Sequence, residues 1–469
     1  MRELIEEILE KARAAGAQFA DLRIGEGKGV SVSVQDGQAD RISTGSGRSA
    51  GLRVLVDGAW GFAPTTDVSK RELLRCVREA TSMARTAATF VTEPGMVAEV
   101  EPVEDSVAAQ FRIDPRDIDL SDRVAAIFEL EQTARREDPK RITNTIASYN
   151  DGWGRSWLGN TQGTYLEQER VRCSFGLTVI AQDCDIRQWA SEGQSGGRGY
   201  EVFADVDSDE FARDVAQRAL GLLAASPPPA GKFEAIIDPK IAGLLAHEAF
   251  GHNCEADAVW SGQSIVSDKM DEPVASELVT IIDDPLREKL NGSFTYDSEG
   301  TPAQRHVLVE NGVLRGFLHS LETAAQFDEP PNGAARAASA QDPPLVRMSN
   351  TYFEPGDWKF EEMIEGIKDG LYLAGGKWGY VYTARGQFTC NAEHAYAIKN
   401  GELGEHYRNV SFAGLTLDTL QGVTAVGNDL KFQMGGTCGK GGQGVPADTG
   451  GPHLRLQEIV VGGHGGVEE

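Results

Sequence analysis

The sequence predicts an α+β protein of two domains, an N-terminal α/β domain (residues 1–225) and a strand-rich C-terminal domain (residues 226–469). Three observations lead there. Helical periodicity alternates with strand-like alternation through the first half. The run Ser226-Pro-Pro-Pro-Ala-Gly-Lys then ends that pattern, because three prolines cannot continue a helix and favour an extended spacer. Beyond it the chain turns to strand-like runs and glycine turns, and all 8 histidines lie at or after His247. The length, 469 residues, also exceeds what one hydrophobic core usually supports.

In the first half, Leu4, Ile5, Ile8, Leu9 and Ala12 recur with helical spacing, which makes residues 3–15 an amphipathic helix. Ala20-Asp-Leu-Arg-Ile-Gly and Val30-Ser-Val-Ser-Val alternate as strands with one buried face. Asp36-Gly37 supplies a hairpin turn, and Gly51-Leu-Arg-Val-Leu-Val-Asp-Gly continues the sheet. Residues 68–88 and 121–137 read as helices, and the acidic, proline-containing stretch 92–118 between them as a long surface connection. Thr143 to Gln182 reads as strands broken at Asn160-Thr-Gln-Gly, followed by a helix over 208–225. After the proline spacer come a short strand, Phe233-Glu-Ala-Ile-Ile-Asp, and a helix from Pro239. From about residue 275 short strands take over, among them Leu278-Val-Thr-Ile-Ile-Asp and His306-Val-Leu-Val-Glu-Asn-Gly.

Charge and composition exclude some functions. With 45 Lys+Arg against 71 Asp+Glu, the formal charge is −26. That argues against binding a phosphate backbone or docking on anionic lipid, since both need clustered cations. No run approaches the ~20 apolar residues of a membrane span. The start, Met1-Arg-Glu-Leu-Ile-Glu-Glu, spreads acids among its apolar residues, unlike a signal peptide. The 6 cysteines lie far apart with no C-x-x-C pair, which agrees with a reducing compartment. The expectation is a cytoplasmic protein with no nucleic-acid or membrane partner.

The sharpest chemical feature is Leu244-Leu-Ala-His-Glu-Ala-Phe-Gly-His252, an H-E-x-x-x-H run of His247, Glu248 and His252. In H-E-x-x-H the histidines fall about 40° apart around a helix; here the i, i+5 spacing puts them about 140° apart. A regular helix could not aim both rings at one ion. The helix must widen by a π-type bulge or break, and Gly251 is where such a distortion costs least. Both imidazoles then reach a zinc ion, which would lower the pKa of a bound water toward ~7, and Glu248 would take its proton as general base. The bland alternative is a polar helix with two unrelated histidines, but the apolar lead-in Ile241-Ala-Gly-Leu-Leu-Ala makes the helix buried, where unpaired polar groups are costly. A catalytic zinc site usually takes a third protein ligand. Cys254, Glu255 and Asp257 are near; Cys438 is distant, in Gly435-Gly-Thr-Cys-Gly-Lys, where Lys440 would favour its thiolate. Spacing leaves the choice between Cys438 and Glu255 open. Cys76 and Cys390 read as core residues.

The chain resembles the TldD/PmbA family, known both for modulators of DNA gyrase and for metallopeptidases, in its TldD-like, metal-bearing branch. The resemblance rests on Gly51-Leu-Arg-Val-Leu with Gly61-Phe-Ala, His247-Glu-Ala-Phe-Gly-His with Glu255-Ala-Asp, Tyr296-Asp-Ser-Glu-Gly-Thr-Pro, Arg347-Met-Ser-Asn-Thr-Tyr, Val426-Gly-Asn-Asp and Thr437-Cys-Gly-Lys-Gly-Gly-Gln. It runs nearly the whole chain in order. It implies that His247, His252 and Cys438 bind Zn2+ and that Glu248 is catalytic. It also implies a strand-rich C-terminal domain holding the site, and dimers, with another copy or with a PmbA-like chain, that cleave unfolded peptides inside the assembly. Ser298, where an acidic residue is common in the family, and the tail His464-Gly-Gly-Val-Glu-Glu depart from its pattern.

The expected function is therefore a zinc-dependent metallopeptidase acting on unfolded or extended peptides. One alternative makes Cys438 a nucleophile with a histidine as base. The other is a non-catalytic peptide-binding or assembly subunit of a TldD/PmbA-type dimer, against which the intact Glu248 argues. Substrate would be held at Leu371-Tyr-Leu-Ala-Gly-Gly-Lys-Trp-Gly-Tyr-Val-Tyr, read as strand, Gly-Gly interruption, strand. Glycines there let a peptide backbone approach a strand edge. The plainer reading of this run is a hairpin with a glycine turn whose aromatics pack into the core.

Overall fold

The computed structural model describes residues 1–463; the tail from His464 lies outside the described residues. The helix Arg2–Ala14 buries Ile5, Ile8, Leu9 and Ala12 of the predicted stripe and leaves Leu4 partly buried. The first sheet is built from β1 (Phe19–Gln35), β2 (Gln38–Val56), β3 (Ala59–Thr65), β4 (Glu104–Val107), β5 (Ile142–Asn160), β6 (Tyr165–Asp183) and β7 (Ile186–Gly196). Its order is β3-β2-β1-β5-β6, with β4 and β7 both pairing β6. Asp36 and Gly37 both take positive φ, 50° and 74°, the two-residue hairpin turn whose twist suits antiparallel strands. β4 lies inside the stretch predicted to be a surface connection. Four residues paired in parallel with Tyr165–Gln168 make too short a run to show a period.

The helices Lys70–Ala88, Leu120–Arg136 and Ser208–Ala224 cover one face of this sheet, over Leu22, Ile24, Val32, Tyr149 and Phe175. The opposite face turns toward the second half: Arg23 Nη1 donates to the Ser339 carbonyl at 3.2 Å and Arg172 Nη1 to the Asn291 carbonyl at 2.8 Å. Only Ile281–Asp283 of the run from Leu278 forms a strand. It sits in a six-stranded sheet in the order Val313–Leu314, His306–Glu310, Ile281–Asp283, Asn350–Phe353, Gln443–Gly451, Lys431–Lys440.

Five of the other strands close on themselves. Gly231–Ile237 pairs with Asp369–Tyr382, which pairs with Gln387–Lys399, then Glu402–Leu415, then Leu454–Gly463, which returns to Gly231–Ile237. Closure leaves few free edges. These strands run to 14 residues, not the short ones expected from about residue 275. Several of the glycines expected in turns sit inside strands. The Gly375-Gly376 interruption is one: Gly375 takes φ 73° at a bulge within a single strand. The plainer reading, of aromatics packed into the core, holds for Tyr372, which packs against a buried cluster, but not for Trp378, Tyr380 and Tyr382, which are 51%, 53% and 58% exposed. Among the described residues no helix is long and apolar enough to cross a membrane.

Candidate metal centre

The site begins where Gly231–Ile237 leaves the closed sheet. Asp238 caps the next helix by accepting from Ile241 N at 2.8 Å, and its other oxygen accepts from Gly375 N at 2.8 Å, tying the helix to the bulge. Pro239 stands in the first turn, where its missing N–H costs nothing. The helix is α over Pro239–Leu244, π over Leu245–Phe250 and 3₁₀ over Gly251–Cys254. The widened turn is the distortion that the i, i+5 spacing demands. Gly251, however, has φ −55° and ψ −44°, angles open to any residue. Its lack of a side chain matters for space: a Cβ there would lie 2.0 Å from Met348 Sδ.

The distortion brings the two rings to a centroid distance of 5.2 Å. Cys438 reaches them from the strand Lys431–Lys440, where it pairs with Val445. One ligand atom from each of His247, His252 and Cys438 lies within 4.8 Å of the others. Cys438 Sγ is 3.7 Å from His252 Nε2, and Glu248 Oε2 is 3.9 Å from that same nitrogen. His247 and Cys438 are buried, while the Glu248 side chain keeps 23% exposure. Burial raises the Cys438 thiol pKa, but the charge and hydrogen bonds of His247 and His252 reverse that and hold it at about 4. Among the described residues, the buried His247 Nδ1 has no hydrogen-bond partner. Two imidazoles and a thiolate converging at one point form a donor set that suits zinc.

Glu255 does not join this group. It stands behind His252, whose Nδ1 is 3.0 Å from Glu255 Oε2. Burial opposes ionisation of Glu255, but His252 and Lys440 hold its pKa at about 2. A carboxylate behind a histidine fixes the ring's tautomer and orientation. Lys440, expected from sequence to favour the Cys438 thiolate, is instead engaged elsewhere. Its Nζ donates to Glu255 at 3.0 Å, Asp257 at 2.7 Å and the Val346 carbonyl at 3.0 Å. Asp257 is therefore a partner of Lys440, and Cys254 is buried with its pKa pushed up by burial. Arg347 was missed. Fully buried, it donates to the Cys438 and Gln443 carbonyls and ties together the two strands of the cysteine hairpin. Its signal was an arginine among Leu345, Val346 and Met348, an apolar run that has no use for a charge. Cys76 and Cys390 are buried in apolar clusters, as expected.

The strand Asp369–Tyr382 passes over the helix, and a Cβ on Gly379 would lie 3.1 Å from Glu248 Cγ and 2.8 Å from Cys390 Sγ. On one side this strand pairs along its length with Gln387–Lys399; on the other it pairs with Gly231–Ile237 only over Gly370–Leu373. Among the described residues, its edge from Ala374 to Tyr382 has no strand partner.

Known proteins share this architecture. Three models of the PmbA/TldA metallopeptidase family match: domain 1 over residues 20–84, the central domain over 113–223 and the C-terminal domain over 230–463. A metalloprotease of Methanothermobacter thermautotrophicus is 38% identical over 95% of this chain and 96% of its own length. A zinc metalloprotease TldD homolog of Saccharolobus solfataricus is 26% identical over 97% and 99%. The crystal structure of TldE from Thermococcus kodakarensis, 18% identical, superposes with a TM-score of 0.77 over 98% of this chain and 100% of that one, a likeness of fold. With all three domains matched in order and close relatives along almost the whole chain, this protein belongs to the PmbA/TldD metallopeptidase family.

Proposed function

We propose that this chain is a zinc-dependent peptidase in which His247, His252 and Cys438 hold the ion and Glu248 acts as general base. The observation that carries this is the convergence of two imidazoles and a thiolate within 4.8 Å, with a carboxylate at the open side. The zinc metalloprotease name of the Saccharolobus relative supports it. Zinc held there would supply a Lewis acid that polarises a carbonyl and lowers the pKa of water toward ~7. Glu248 accepts a proton from the attacking water and returns it to the leaving amine. Glu255 keeps the His252 ring oriented.

Substrate is an extended peptide added to the free edge of Ala374–Tyr382, beside Glu248. Backbone pairing implies weak side-chain specificity, and a strand edge accepts only chain that is already unfolded. The test is Glu248→Gln, in which the amide cannot take the proton. Peptidase activity should fall at least ~10²-fold, the lower end of general-base contributions, with metal content unchanged. Near wild-type cleavage by this variant would refute the mechanism.

A second reading has one observation in its favour: Cys438 beside two imidazoles, its pKa held at about 4, is also how a nucleophilic thiolate is prepared. A chelator separates the two. It abolishes zinc-dependent cleavage and spares a thiol enzyme.

A further inference from the structure

The sheet face turned to the second half carries an arrangement that the metal chemistry does not use. Arg170 and Arg172, two apart on β6, share that face. The strand registers put glycines beside them across three strands. Arg170 pairs with Gly154, then Gly27, then Gly47; Arg172 pairs with Gly152, then Gly29, then Gly45. A Cβ built on Gly45 or Gly47 would meet nothing within 4 Å. A bare floor therefore leads across the sheet to two guanidinium groups.

Arg170 lines both a cavity of about 600 Å³ and a neighbouring one of about 410 Å³. Its side chain is exposed to these spaces. Among the described residues it has no hydrogen-bond, ion-pair or ring partner. Arg172 is fixed from behind by the Asn291 carbonyl at 2.8 Å, and burial brings its pKa down to about 10. The carboxylate it feels, Asp448, accepts from Asn291 N at 2.6 Å and Gly435 N at 2.7 Å. Asn291 Nδ2 donates to the Gly436 carbonyl at 2.7 Å, two residues from Cys438, so this wall of the cavity adjoins the strand that carries the thiolate. Arg170 is exposed to these spaces and unpaired among the described residues, so its guanidinium fork is available to an anion without giving up a protein partner. The same cavities carry carboxylates, Glu169, Glu201, Asp205 and Glu288 in the larger and Glu26 and Asp297 in the smaller, so an anion would be held by the local guanidinium fork and not by a general positive field.

We propose that Arg170, with Arg172 behind it, is a carboxylate-binding subsite that takes the C-terminal carboxylate of a short peptide lying across the glycine floor. The planar guanidinium fork matches a carboxylate in two-pronged fashion, and the glycines admit a backbone without side-chain selection. The inference rests on the peptidase reading for its choice of ligand.

The test measures binding without turnover, using the full-length Glu248→Gln protein and one labelled, unstructured pentapeptide in three forms. These are the free acid, the C-terminal amide, and the amide with one internal Glu. The free acid should bind about 10- to 100-fold tighter than the amide, the range of a charge-assisted hydrogen bond. Arg170→Gln should erase that ratio, and Arg170→Lys should leave part of it. Thermal unfolding of Arg170→Gln should come no earlier than that of the parent, because the cation has no partner to lose. If the Glu-bearing amide matches the free acid, the carboxylate site stands with a side chain as its source. Equal affinity for all three peptides in the parent overturns the proposal, as does an Arg170→Gln variant that weakens all three alike. Acid-selective binding by a protein whose wild type cleaves nothing would sink the peptidase reading alone; cleavage without acid selectivity would sink only the subsite.

Discussion

Replacing Gly251 by alanine tests whether space, rather than backbone freedom, explains that glycine. Its φ of −55° and ψ of −44° would suit alanine, so helix propensity alone predicts a gain of up to about 1 kcal/mol. The new Cβ, however, would lie 2.0 Å from Met348 Sδ and 3.2 Å from the Ala246 carbonyl, against about 3.5–4 Å for ordinary contact. Met348 is fully buried, and its carbonyl is held by Arg336 Nη1 at 2.6 Å, so it has little room to retreat. Overpacking of this kind costs typically ~1–3 kcal/mol. If the strain is relieved by shifting the turn that carries His252, the same energy appears as roughly 5- to 150-fold weaker metal binding. The assay is zinc competition against a chromophoric chelator, with thermal unfolding of the metal-free protein alongside. Gly251→Ala should lose affinity, and Gly251→Ala/Met348→Ala should regain much of it, because the second change removes the obstacle. Wild-type affinity and melting in Gly251→Ala, or a double variant no better than the sum of its parts, would refute the argument.

Other expectations follow from the same geometry. Cys438→Ala removes one of three donors and should leave the protein with little zinc at low free metal; full retention in metal analysis would count against Cys438 as a ligand. Glu255→Gln keeps the shape but weakens the hold on His252 Nδ1 and Lys440, so zinc affinity should fall by roughly 10- to 100-fold, the usual cost of losing an outer-shell partner. A change below threefold in equilibrium dialysis would reduce Glu255 to a structural role. A substrate that must pair along the edge Ala374–Tyr382 has to be unfolded first, so one protein offered in folded and destabilised forms should be cut only in the second. Equal rates on a gel time course would contradict edge binding even with the zinc chemistry intact.

Local pattern determined what is local here. The spacing of His247 and His252 by itself required a distorted helix, and the π turn Leu245–Phe250 is that distortion. Asp36-Gly37 announced its hairpin, and the stripe Ile5, Ile8, Leu9, Ala12 its helix. These succeed because neighbours in sequence set backbone angles and exposed faces whatever the rest of the chain does. The tertiary structure alone decided the rest. Cys438 comes beside His252 across 186 residues of chain because the strand register pairs it with Val445. Slipping that register by one residue would turn the thiol away from the pocket. The same long-range packing sends Lys440 to Glu255 and Asp257, puts Met348 over Gly251, and makes Gly375-Gly376 a bulge instead of a turn. A glycine or a charge in a sequence states what is permitted at its position; which segment arrives to use that permission is a property of the folded sheets.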